Sequence, residues 1–254
     1  MEYQLTSAVL AAHVGAGLIG AFVAFPAAFF ARKGSPLHKS AGRAFVLAFV
    51  VICLTSYALD FQELTGVDIY RWWADPNMFR LGFDMPIDIK LVQTAAITTF
   101  ALYLAVSGWR MWARRRRHAA GRSAPLDVVL AMAALFAVGA FVIATWKSAD
   151  WFSAEGQSVS ALSTEHLVIL ALGLVVAGEA FLDLRSILTR RAPRYWWFVH
   201  MRRMLLAEAG LLAAIALRCW PAPDVGLGMA LPVAAFVLIG LVMTVRGLRA
   251  AYPN

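Results

Sequence analysis

Two cysteines in 254 residues cannot build a disulfide framework: Cys53 falls inside one apolar run and Cys219 at the end of another. No Cys or carboxylate spacing supports a zinc or copper site either. Charged residues are only 15% of the chain, and the longest segment outside the apolar runs is 61–87. A soluble catalytic domain has no room, so any chemistry must sit within a helix bundle or at its faces. The N-terminus lacks a basic n-region; Glu2 precedes the first apolar run and the cations follow it. That predicts a retained first helix and not a cleaved signal peptide. No repeat relates the two halves, which leaves an inverted-repeat transporter without support.

Apolar residues are plentiful instead, at 61% with mean hydropathy +0.69, against about 45–50% in soluble domains. Runs of roughly 20 such residues, the length that crosses a bilayer, recur at about 6–30, 41–60, 88–110, 126–146, 165–185, 203–219 and 227–245. The expectation is an all-α, single-domain bundle of seven transmembrane helices in the bacterial inner membrane. The net charge of +8 is distributed as topology: 18 of the 23 Lys and Arg lie in loops 1, 3 and 5 and the C-terminal tail. Such bias sets orientation; it places the N-terminus outside and the C-terminus inside, and gives no reason to invoke nucleic acid. The run Arg114–Arg117 reads as an anchor against anionic lipid. The last run, 227–245, holds no lysine for a Schiff base, so a retinal protein is excluded. Tyr70, Trp72, Trp73, Phe79, Trp151 and Phe152 on the outer side, and Tyr195, Trp196 and Trp197 on the inner, suggest interfacial aromatic belts. A quinone entrance is the alternative.

Polar groups inside spans are costly and mark function. In the basic segment 31–43 (ARKGSPLHKSAGR), Ser35-Pro36 is an N-cap followed by the preferred first helical residue. A helix should open there, with His38 in its first turn. Pro193 plays the same part ahead of His200, which should sit two turns into its helix. Both histidines fall on the inner side, and spans 2 and 6 are expected to be neighbours around a common pocket. Gly42, one turn after His38, would let a flat ligand approach. His13 in span 1 and His166 at the outer end of span 5 form a second, outer couple; His118 reads as solvated. Paired imidazoles, flat clearance and surrounding cations are what a bis-histidine haem with propionates requires, with Arg43 and Arg203 on the propionates. Glu179, Asp183 and Glu208, at similar inner depth, are expected either to relay protons or to pair with Arg43, Arg110 or Arg203.

The motifs KGSPLHKSAGR, LYLAVSGWR, LDLRSILTRR and RYWWFVHMRRMLLAE together resemble an uncharacterised bacterial family of multi-span membrane proteins of unknown function. The likeness runs over nearly the whole chain. It rests on His13, Lys33, Gly34, His38, Gly42, Arg43, Trp109, Arg110, Asp183, Arg185, His200, Arg203 and Met204. The 61–87 loop departs from the family's shorter connection, and His166 has no motif partner. In outline the family is similar to two-haem transmembrane cytochrome b proteins, which implies haem b and a quinone or a redox partner subunit. The expectation is membrane electron transfer; the alternative is a cofactor-free accessory subunit or small transporter with a structural polar network. No motif names a catalysed reaction.

Overall fold

The computed structural model describes residues 2–64, 87–119, 125–154, 164–189 and 196–219. They are almost wholly helical, with no strand among them. Helix α1 (Glu2–Ile19) continues through a π-helical segment (Gly20–Ala24) into α2 (Phe25–Phe30). Then come α3 (Pro36–Leu64), α4 (Ile87–Ala119), α5 (Pro125–Ala154), α6 (Thr164–Leu188) and α7 (Trp196–Cys219). The expected seventh run, 227–245, lies outside the described residues.

Local chemistry accounts for the breaks. Pro26 has no N–H for the carbonyl four residues back, and the N–H of Phe25 bonds Gly20 O, so the widened turn lies directly ahead of the proline. Gly34, at φ +80°, makes the left-handed turn between α2 and α3. Ser35 Oγ accepts the N–H of His38 at 3.1 Å, capping α3 where the Ser-Pro pair predicts. Two expected loops begin as helix, since 61–64 continues α3 and 147–154 continues α5. Neither stretch contains a Gly or Pro to stop the turn.

Among the described residues, four helices are long and apolar enough to cross a membrane: Ser7–Phe30, Pro36–Phe61, Leu91–Met111 and Pro125–Lys147. α6 and α7 have spanning length, 25 and 24 residues, but carry Glu179, Asp183 and Arg185, and Arg202, Arg203 and Glu208. α4 is the centre of the bundle, packing against α3, α5 and α7 and more lightly against α6. α1, the π segment and α2 lie along α3, and α6 along α5. Lipid tails supply no hydrophobic drive between helices, so small residues and polar contacts must hold them. Ala96, Ala105, Ala131, Ala134, Ala180 and Ala207 fill the seams, with Phe45–Phe49 and Phe100–Phe141 ring pairs at 4.8 and 6.2 Å. Phe22, Phe30, Phe136 and Leu188 point outward, an apolar exterior compatible with a bilayer.

Candidate functional site

A cavity of about 750 Å³ opens between α2, α3, α4 and α7, at the end of the bundle where the basic segment 31–43 lies. α3 and α7 are not a closely packed pair, contrary to the expected neighbourhood. α4 and the π segment hold α7 across the cavity from α3, and both histidines still reach it.

His38 sits in the first turn of α3 because the Ser35 cap places it there. Its Nδ1 is 2.8 Å from the carbonyl of Ala28 in α2. His200 is four residues past Trp196, where the described part of α7 begins; Pro193, from which two turns were expected, lies outside the described residues. Its Nδ1 is 2.8 Å from the carbonyl of Gly108 in α4. A carbonyl only accepts, so each Nδ1 carries a proton and donates it, and Nε2 is the ring nitrogen left over. No hydrogen bond to either Nε2 exists among the described residues. His200 precedes the apolar part of α7; burial, with His38 and Lys33 nearby, holds its imidazole below its ordinary value and therefore neutral.

The wall is apolar and aromatic, with Phe25, Phe29, Phe45, Trp109, Trp196 and Trp197. Two of the tryptophans assigned to the inner belt thus line a cavity. Lys33, Lys39, Arg43 and Arg110 add positive charge. Lys33 Nζ donates to Met201 Sδ at 2.9 Å and lies 5.8 Å from the Trp197 ring, tying the α2–α3 turn to α7. Gly42 also lines the cavity, and a Cβ there would meet nothing within 4 Å. The clearance expected beside His38 is present.

Arg203, expected at a propionate, is elsewhere. Its guanidinium is 1% exposed and bonds Glu179 Oε2 at 2.9 Å, Asp183 Oδ1 and Oδ2 each at 2.9 Å, and Ser107 Oγ at 3.1 Å. The reason is helical phase: Arg203 falls on the side of α7 that meets α4 and the carboxylates of α6, while Met201, Met204 and Leu205 take the cavity side. Tyr103 donates to Asp183 Oδ2 at 2.8 Å, and Arg202 pairs with Glu179. Arg114 pairs with Asp183, and it also lies 3.6 Å from Asp127, which Arg110 contacts at 2.7 Å. The ion-pair reading of Glu179 and Asp183 is what the geometry shows. Arg114, read as a lipid anchor, is 1% exposed and part of this network. Asp127 and Tyr103 were not foreseen. The available signal was the spacing of Tyr103, Ser107, Arg110 and Arg114, one face of α4 at steps of three and four. Glu208 does not join the network; it is 1% exposed and its Oε2 has no hydrogen-bond partner among the described residues.

Of the outer couple, only the side chain of His13 lies among the described residues. His13 Nδ1 lies 3.0 Å from Thr55 Oγ1 across the α1–α3 seam. Thr55 Oγ1 spends its own hydrogen on the carbonyls of Val51 or Ile52, so the imidazole is the donor. α1 packs on α3 and α6 on α5 and α4, and the His166 side chain lies outside the described residues. No family of known proteins, no curated protein and no solved structure matches this chain.

Proposed function

We propose that this protein is a membrane electron-transfer protein that binds one b-type haem at its inner end, through His38 and His200. One observation carries the reading: two histidines line one cavity, each with Nδ1 fixed to a backbone carbonyl and Nε2 without a hydrogen-bond partner among the described residues. Orientation of a ligating imidazole by a hydrogen bond from its other nitrogen is the usual partner arrangement at metal sites. Two protein ligands suffice for haem because the porphyrin supplies the other four nitrogens. The described residues contain no group of three or more His, Cys, Asp or Glu able to hold a bare metal ion. Arg43 and Lys39, exposed and on the cavity wall, are suited to propionates; Arg203 is not, being saturated by Glu179 and Asp183. When bound, haem supplies one-electron chemistry; the chain's own part is to orient two imidazoles, place cations and exclude water with aromatic walls. A quinone or a redox partner subunit would exchange the electron. The cofactor-free alternative, an accessory subunit or small transporter, draws on the closed ion-pair network beside the cavity.

The test is the absorption spectrum of the purified protein from cells supplied with haem. Oxidised and reduced haem b bands are expected, lost or shifted to a five-coordinate form in His38→Ala and His200→Ala, and retained in His13→Ala. Absence of bands in the wild type, or bands unchanged in both variants, removes the proposal.

The reading includes a membrane topology: seven spans in the bacterial inner membrane, N-terminus out and C-terminus in. The alternation of basic and acidic loops supports it. A reporter fused at the C-terminus or beside Arg116 is expected to read cytoplasm, and one within 61–87 the outer side. Export of the C-terminal reporter would reverse the inner assignment of His38 and His200.

A further inference from the structure

One carboxyl group is left over by everything above. Glu208 is as deeply buried as Arg203, yet its Oε2 has no hydrogen-bond partner among the described residues. The nearest cation along its own helix, Arg203, is already engaged by two carboxylates and Ser107. The elements packed against α7 are α4 and the π segment. The π segment, Gly20–Ala24, has no titratable side chain. On α4, Tyr103 is committed to Asp183, Arg110 to Asp127, and Arg114 to Asp183 and Asp127. Across the cavity, His38, Lys33, Lys39 and Arg43 line the wall. A buried carboxylate with no partner is strongly disfavoured against its neutral acid.

Its place on α7 is the second observation. Trp197, Met201, Met204 and Leu205 line the cavity. Glu208 continues that stripe by three residues from Leu205 and four from Met204, so it stands on the cavity face one turn deeper. Glu208 therefore lies beneath the cavity, one turn beyond Leu205, the last residue of α7 on its wall.

We propose that Glu208 holds an exchangeable proton one turn beneath the inner cavity, gained and released by way of that cavity. The proton leaves from the carboxyl oxygen to water or to a basic atom of the cavity's occupant, and the carboxylate takes it back. A negative charge entering the cavity favours the protonated acid, and a positive one favours release, so the residue balances charge brought in from the inner side. Glu208 keeps this role whether or not haem is the occupant.

Infrared spectroscopy of the full chain in detergent micelles tests it without any cofactor. At neutral pH the wild type is expected to show a protonated-carboxyl C=O band that moves down in D₂O and disappears as pH is raised. The band is expected to vanish in Glu208→Gln. If that variant is not recovered folded, Glu208→Asp is expected to displace the band. Gly42→Leu, which fills the cavity, should slow the D₂O shift several-fold, whereas Gly139→Leu on the exposed side of α5 should not. Four outcomes each overturn the proposal: no band in the wild type, a band indifferent to both Glu208 variants, no shift in D₂O, or exchange equally fast in Gly42→Leu. None of these readouts depends on the haem spectrum.

Discussion

Two polar regions lie on either side of Gly108, and they treat their polar atoms in opposite ways. On one side, Arg203 has both edges of its guanidinium occupied, by Glu179 and by Asp183. Arg110, Arg114, Arg202 and Arg203 face three carboxylates, Asp127, Glu179 and Asp183. On the other side, the carbonyl of Gly108 fixes His200, Ala28 fixes His38, and both imidazoles line open space with Nε2 unbonded among the described residues. Ion-paired groups describe a clasp that holds α4, α5, α6 and α7 together. Groups anchored at one atom and free at the next describe a site that receives something. Residue type alone would not separate the two, since His200 of one region and Arg203 of the other stand three residues apart on α7.

The comparison is broken hardest at Arg203. Replacing it with Met leaves Glu179 and Asp183 short of their main counter-charge. Removing one partner of a buried pair costs about 3–5 kcal/mol. The lower part of that range is expected here, because Arg202 and Arg114 still reach the two carboxylates. Thermal unfolding of the detergent-solubilised protein checks it. His200→Ala, measured the same way without haem, removes a single hydrogen bond and should cost only about 1 kcal/mol. Equal losses in the two variants would mean that the histidine is as structural as the arginine.

Much of this division could be read from the chain, and some could not. The Ser35-Pro36 cap put His38 at the mouth of α3, and the i, i+4 spacing of Glu179 and Asp183 put both carboxylates on one face. Those are local relations, fixed by helical period and capping chemistry. The role of Arg114 was hidden by composition: three further arginines follow it, so the run resembled a uniform anchor, while its phase on α4 buries the first of the four. Arg203 was misassigned for a related reason. Neighbouring cations at a helix mouth look equivalent until the partner helix is known, and α4 meets α7 at Arg203. The partner of His13 is a hydroxyl on another helix, whose identity depends on how α1 settles on α3. A threonine is too common in spans to point to itself.

Two glycines sharpen the comparison with smaller effects. A Cβ on Gly108 would stand 3.0 Å from Arg203 Cβ, 3.2 Å from Met204 Cε and 3.7 Å from His200 O. The methionine tip can move aside, but Arg203 Cβ is held by its backbone and by the carboxylates beyond it. Gly108→Ala therefore pushes α7 off α4. Overpacking costs about 1–3 kcal/mol, offset by about 1 kcal/mol of better helix propensity, so a net loss of about 1 kcal/mol is expected, with weaker anchoring of His200. Gly42 faces the cavity, where a Cβ meets nothing within 4 Å. Gly42→Ala should leave the empty protein unchanged or up to about 1 kcal/mol more stable by propensity alone. If a flat macrocycle lies beside His38, the added methyl occupies its clearance and haem retention falls in that same variant. The pair thus separates packing from occupancy: Gly108→Ala lowers the melting temperature first, and Gly42→Ala lowers haem content while the melting temperature holds or rises. Identical behaviour of the two alanine variants would show that the two sides of Gly108 form one packed polar core, with no receiving site between α3 and α7.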